Sequence, residues 1–203
     1  MTPLEIADMI GIICFAASGF LIAVHYKLDI LGIFIAAFLT ALGGGMIRDV
    51  LANKTPFIFT HTLPVILVIA TVLISLLFKL HKIDDFESKT AFIVSDAIGL
   101  VSFAITGSII AIENEFNFLG VLILAFLTAV GGGTIRDILI NKVPAILVSE
   151  FYATVALIVG LTVFILDSFD MRSLFSLTIV FVCGVALRLL AYYKNWHLPT
   201  LSK

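Results

Sequence analysis

The sequence predicts an all-α membrane protein with seven transmembrane helices, built as two inverted three-helix repeats plus a C-terminal helix. Three observations predict it: a composition that water cannot solvate, polar punctuation at membrane-span intervals, and a glycine-rich motif that occurs twice. Of the 203 residues, 61% are hydrophobic and only 13% are charged, and the mean hydropathy is +1.20. Soluble domains are about 45–50% apolar and about 25% charged. Lipid is therefore the solvent for most of this chain.

A hydrocarbon core of about 30 Å needs roughly 20 helical residues. Apolar runs of that length lie at 6–25, 30–52, 57–78, 91–112, 117–140, 144–166 and 173–193. Between them stand His25-Tyr-Lys-Leu-Asp29, Asn53-Lys-Thr-Pro56, Lys79–Lys89, Glu113-Asn-Glu115, Asn141-Lys142 and Asp167–Arg172. Seven spans put the termini on opposite sides. Lys27, Lys79, Lys82, Lys89, Lys142, Lys194 and Lys203 fall on one side, against Lys54 and Arg172 on the other. The positive-inside rule makes the lysine-rich side cytoplasmic, with the N-terminus outside and the C-terminus inside. No basic region precedes the first apolar run, so that helix is expected to remain in the mature protein rather than leave as a signal peptide.

The composition also excludes function classes. There is no basic stripe for nucleic acid. Cys14 and Cys183 lie in apolar runs and read as small core residues, not as a disulfide pair. His25, His61, His81 and His197 sit near span ends without metal-ligand spacing. No His-Glu-x-x-His, Gly-x-Ser-x-Gly or cysteine–histidine pairing suggests an enzyme.

The motif Ala41-Leu-Gly-Gly-Gly-Met-Ile-Arg-Asp49 returns as Ala129-Val-Gly-Gly-Gly-Thr-Ile-Arg-Asp137, so that Gly43 recurs at Gly131, 88 residues later. At that offset Asp8 falls on Asp96, Gly11 on Gly99, Gly19 on Gly107, Gly32 on Gly120, and Pro56 on Pro144. Such agreement marks an internal duplication. It divides the chain into a first repeat over 1–88, a second over 89–170, and a seventh helix with its tail over 171–203. Three spans per unit force the second copy to enter the membrane from the opposite face, an architecture common among transporters.

Each second helix of a repeat carries three consecutive glycines at mid-span: Gly43, Gly44 and Gly45, then Gly131, Gly132 and Gly133. One interior glycine costs about 1 kcal/mol relative to alanine. Three are expected to kink or break the helix and free polar backbone for an ion, which is tolerated at that depth only inside protein or beside water. The competing reading is close helix packing, which suits Gly11, Gly19, Gly99 and Gly107. One turn beyond each triplet stand Arg48-Asp49 and Arg136-Asp137. A charge at mid-helix costs about 2.5–3.5 kcal/mol on insertion scales, so all four need partners or water. Adjacent helix residues do not face each other. The pseudo-symmetry therefore suggests cross-repeat pairs, Arg48 with Asp137 and Arg136 with Asp49; a structural ion-pair network and snorkelling to the surface are the alternatives.

Asp8 and Asp96 read either as helix-start residues or as charges at a pore mouth. Lys54 and Lys142 read either as C-terminal helix lysines or as rings at opposite mouths. Ser18, Thr40, Thr106 and Thr128 either line a path or bond to their own helix. Arg188 reads as a snorkelling residue, and Tyr192, Tyr193 and Trp196 as an interfacial anchor.

The doubled Gly-Gly-Gly-x-x-Arg-Asp on three-plus-three-plus-one spans resembles the prokaryotic branch of the TRIC family, the trimeric intracellular cation channels. The same repeat is also described as a bacterial glycine transporter domain. The resemblance implies a homotrimer with one potassium-selective pore per subunit, and kinks at Gly43–Gly45 and Gly131–Gly133 with the ion passing along that backbone. It implies no cofactor and no fixed metal site beyond the transported potassium or sodium; membrane lipids are the surroundings, and a bound lipid is possible. The Lys-Glu-Val signature of the animal members is absent; Met46-Ile-Arg-Asp49 follows the glycines instead. Two functions follow: a monovalent cation channel, or a carrier for glycine or a similar small zwitterion, with Arg holding the carboxylate and Asp the ammonium. A prokaryotic inner membrane is the expected location.

Overall fold

A computed structural model describes residues 2–83, 85–148 and 151–196. His197 and Lys203 lie outside the described residues. Among those residues the chain is wholly helical. The helices are α1 (Pro3–His25), α2 (Ile30–Leu51), α3 (Phe57–Thr60), α4 (Leu63–Leu77), α5 (Asp85–Glu113), α6 (Phe118–Leu139), α7 (Ala145–Val148), α8 (Tyr152–Ser168) and α9 (Leu174–Tyr193). A 3-10 turn at Leu80–Lys82 precedes α5.

Local chemistry sets these limits. Thr2 and Glu5 form a reciprocal capping box before α1, with Pro3 in the first turn. Asp29 and Asn117, 88 residues apart, cap α2 and α6 by accepting from the Gly32 and Gly120 N–H groups. Both helices end in the same way. Asn53 and Asn141 adopt left-handed conformations, φ 55° and 57°, which asparagine tolerates better than most residues. The next amides, Lys54 and Lys142, donate back to the Asp49 and Asp137 carbonyls.

Among the described residues, five helices are long and apolar enough to cross a membrane: Leu4–His25, Ile30–Leu51, Lys89–Glu113, Phe118–Leu139 and Leu174–Tyr193. The third and sixth predicted spans differ from expectation. The third is divided into a single turn, α3, and a shorter apolar helix, Leu63–Leu77; in the sixth, Phe151 at φ 47° leads into a shorter apolar helix, Tyr152–Ser168. The breaks lie in these elements and not at the glycines. The helix runs without interruption through 43–45 and through 131–133, and no described glycine has positive φ.

The glycines serve packing instead. α1 lies against α5, α2 against α6, and each repeat's first two helices against one another. α2 and α6 cross at the triplets. A methyl group on Gly44 would collide with the Thr128 carbonyl oxygen, and one on Gly132 with the Thr40 carbonyl oxygen. At Gly43 the nearest atom would be the Gly132 Cα, 3.2 Å away. The first and fourth predicted spans use their glycines likewise: a methyl group added to Gly19 would lie 2.7 Å from Ala37 Cα, and one added to Gly107 would lie 2.9 Å from Ala125 Cα. Gly11 and Gly99 make room for the rings of Phe103 and Phe15. These two rings, again 88 residues apart, meet edge to face at 5.2 Å in the centre of the molecule.

The outer faces of α4, α8 and α9 expose large apolar side chains such as Leu77, Ile165 and Phe175. Cys183 is exposed on α9, not packed in the core, and Cys14 is half-buried. Arg188 does not snorkel. It is buried, with its guanidinium 4.9 Å from the Tyr152 ring centre. Trp196 packs edge to face on Phe151.

Candidate functional site

The four motif charges gather into two clusters, one per repeat. In the first, Arg48 on α2 donates through Nη1 to Asp8 Oδ1 on α1 (2.7 Å) and to Thr106 Oγ1 on α5 (3.2 Å). Its Nε donates to Asp49 Oδ1 at 2.8 Å. In the second, Arg136 on α6 donates through Nη1 to Ser18 Oγ on α1 (3.1 Å), with Asp96 Oδ1 of α5 at 3.5 Å. Its Nε donates to Asp137 Oδ1 at 3.0 Å. The Ser18 hydroxyl donates on to Asp96 Oδ1 at 3.0 Å. Ser18 and Thr106 occupy equivalent positions, so each arginine takes its carboxylates from its own repeat and a hydroxyl from the other.

The expected cross-repeat pairs, Arg48 with Asp137 and Arg136 with Asp49, do not form. The rule that adjacent helix residues diverge describes their Cβ directions. A guanidinium on a three-carbon stem can fold back beside its neighbour, and burial makes any nearer carboxylate preferable to an unpaired charge. The adjacent aspartate has a second task. Asp49 Oδ2 accepts the Phe57 N–H at the start of α3 at 2.8 Å, and Asp137 Oδ2 accepts the Ala145 N–H of α7 at 3.0 Å. One carboxylate therefore joins the arginine to the turn that opens each divided span. Pro56 and Pro144 occupy the residue before that turn, where the backbone amide would otherwise need a partner.

The surroundings of the clusters differ. The first borders a cavity of about 620 Å³ at the mouth formed by the start of α1 and the end of α5, lined among others by Glu5, Asp8, Arg48, Lys54, Glu113 and Arg172. A constriction of about 30 Å³ continues inward past Arg48 and Gly45 to Phe103, room for about one water. The second cluster is sealed: Arg136 and Asp137 are 1% and 0% exposed. Phe92 covers it, with Arg136 Cζ 5.3 Å and Lys142 Nζ 5.9 Å from its ring centre. Tyr152 lies in electrostatic reach of Asp96, Arg136 and Arg188.

Of the residues singled out in the sequence, the structure brings Arg48, Asp49 and Asp8 together, and likewise Arg136, Asp137 and Asp96. Asp8 and Asp96 are ion-pair partners, not helix caps. Lys54 lines the cavity, and Lys142 stacks on Phe92. Ser18 and Thr106 join the clusters. Thr40 and Thr128 donate instead to Ala36 and Leu124 carbonyls of their own helices. The sequence motifs do not single out Phe15, Phe103, Phe92 or Tyr152. The first two carry a usable signal, since they recur at the repeat offset.

The family profile described as "Glycine transporter" matches the chain twice, over residues 5–80 and 93–168, with the same offset of 88 at both ends. A UPF0126 membrane protein of Bacillus subtilis, YvgT, is 36% identical over 198 residues, 98% of this chain and 96% of its own. A chain from a study of the structural basis for conductance through TRIC cation channels superposes with a TM-score of 0.84 at 37% identity, covering 98% of this chain and 97% of that one. The chain belongs to the TRIC family. Other TRIC relatives agree. A prokaryotic TRIC channel crystallised in 0.5 M KCl gives a TM-score of 0.88 at 32% identity, covering 96% and 98% of the two chains. The TRIC trimeric intracellular cation channel orthologue from Rhodobacter sphaeroides gives 0.88 at 27% identity, covering 96% and 100%. The UPF0126 inner membrane protein YadS of Escherichia coli K12 is 36% identical over 76% of this chain and 74% of its own. These TRIC and UPF0126 relatives are described as membrane proteins or channels.

Proposed function

We propose that this chain is a monovalent cation channel, passing potassium along a path inside each subunit. The observation that carries the reading is the charge balance of the clusters. Each arginine faces two aspartates, so one formal negative charge is left over in each cluster. The arginines therefore do not repel a cation; they hold the acidic groups in place. The path runs from the cavity beside Asp8 and Glu113, through the constriction at Arg48 and Phe103, to the Arg136 cluster and Lys142. Side-chain oxygens supply the polar contacts in place of glycine backbone. Gly43–Gly45 and Gly131–Gly133 shape the path by holding α2 and α6 in contact.

In this reading the divided spans α3–α4 and α7–α8 each count as one crossing. That gives seven spans, inverted repeats, an outer N-terminus and a cytoplasmic C-terminus. The relatives solved as trimeric channels support a homotrimer, and the family's UPF0126 inner membrane member supports a prokaryotic inner membrane. Transported potassium or sodium is then the only ion needed, with membrane lipid around the trimer. The deciding experiment is single-channel recording of purified protein in planar bilayers, with potassium, sodium and glycine tested separately. Unitary currents reversing at the potassium equilibrium potential are expected; saturable glycine uptake without unitary currents would reject the channel.

One observation favours the second reading, a carrier for a small zwitterion. A cavity reaches one cluster while its twin is sealed, the one-sided access that a carrier requires. Glu113 with Asp8, and Arg172 with Lys54, would receive the ammonium and carboxylate there.

A further inference from the structure

We propose that Phe92, backed by Tyr152, is the plug that closes the path at the Lys142 end, and that replacing its ring opens the second cluster to water. The inference rests on reading the two clusters as halves of one path. It comes from comparing the halves. Arg48 and Arg136, Asp49 and Asp137, Asp8 and Asp96, and Thr106 and Ser18 are the same chemistry at equivalent positions, yet among the described residues the large cavity borders the first set. The Asp8 side chain is 20% exposed and the Asp96 side chain 7%.

Around these matched groups the repeats differ where it counts. Leu4 and Pro64 line the cavity of the first half. Eighty-eight positions on stand Phe92 and Tyr152. Phe92 lies against Arg136 at the position where, in the first half, Leu4 lines the cavity. Phe92 is also held in place: two cations, Arg136 and Lys142, lie within cation–π distance of its centre. Tyr152 is fully packed, with its hydroxyl facing Gly133 and Arg188 stacked on its ring. Arg188 comes from α9, which has no counterpart in the first repeat, so this buttress exists at one end only.

The plug has the geometry of a gate. Swinging Phe92 aside releases Lys142 and uncovers Arg136 without moving the α2–α6 crossing. A cation approaching from the Lys142 side meets the Phe92 ring, held by Lys142 and Arg136, before it reaches Asp96.

The test measures access to each cluster by a membrane-impermeant cationic thiosulfonate, in full-length protein in vesicles with Cys14 and Cys183 replaced by alanine. With Ser18→Cys as the reporter, Phe92→Leu is expected to speed modification from the Lys142 face by about tenfold, as loss of two cation–π contacts allows. Phe92→Tyr keeps the ring and is expected to leave the rate at the parent value. With Thr106→Cys as the reporter, Leu4→Phe is expected to slow modification from the opposite face. An unchanged Ser18→Cys rate in Phe92→Leu, or an equal rise in Phe92→Tyr, would overturn the proposal. If Phe92→Leu does not fold, Leu4→Phe decides: no slowing there overturns the proposal. Access shifting as expected while bilayers show no cation current would leave the plug standing and reject the channel reading.

Discussion

Alanine substitution along one glycine triplet separates helix crossing from helix breaking. If the glycines existed to loosen the helix, all three alanines would act alike, each regaining up to about 1 kcal/mol of helix propensity at the expense of the break. The structure predicts a steep gradient instead. At Gly45 the nearest atom to an added methyl is the Arg48 Nη2 at 3.8 Å, so Gly45→Ala keeps the propensity gain and stabilises the protein by about 0.5–1 kcal/mol. At Gly44 the methyl meets the Thr128 carbonyl, a main-chain atom held in α6 that cannot rotate away. Overpacking costs about 1–3 kcal/mol, and a rigid obstacle puts this site at the upper end. Gly44→Ala is therefore expected to lose about 2 kcal/mol after the propensity gain. Adjacent residues should then differ by about 3 kcal/mol with opposite signs. Gly132→Ala against Gly133→Ala should repeat the pattern, since Gly133 meets only the Tyr152 hydroxyl at 3.5 Å and Arg136 Nη2 at 3.7 Å. Reversible unfolding in mixed detergent micelles, followed by circular dichroism, measures the difference. Equal destabilisation at Gly44 and Gly45 would refute the argument.

Further predictions concern the charges. A double-mutant cycle between Arg48 and Asp8 should return a coupling of about 1–3 kcal/mol, while one between Arg48 and Asp137 should return almost none; the reverse order would restore cross-repeat pairing. Arg136→Gln should destabilise by about 3–5 kcal/mol, because it strands Asp96 and Asp137 away from water; thermal stability in detergent reports it. Asp137→Ala should free the Ala145 amide and speed hydrogen exchange at the start of α7, with α6 itself unaffected; mass spectrometry of the deuterated protein resolves the two segments.

Much of this arrangement is legible in the sequence because it is written twice. The 88-residue offset exposes the repeat, and polar punctuation places α1, α2, α5, α6 and α9 within a few residues. The divided spans are hidden because Phe57–Thr60 and Ala145–Val148 are as apolar as the helices they precede; hydropathy does not register a change of direction. The glycine triplets mislead for a physical reason. Propensity counts only a helix's own cost, whereas these glycines repay it across the gap to a neighbouring main chain. The carboxylate partners of Arg48 and Arg136 escape because Asp8 and Asp96 lie 40 positions away, on helices whose facing no single-helix pattern fixes.

The contact of Gly44 with the Thr128 carbonyl, answered by Gly132 with the Thr40 carbonyl, makes each half of the molecule the complement of its own likeness. An ancestral single-repeat peptide would have found that complement only in a sister molecule. Tandem fusion turned such an encounter into an intramolecular one. It also freed the two copies to diverge, so that one could acquire aromatic bulk without altering the other.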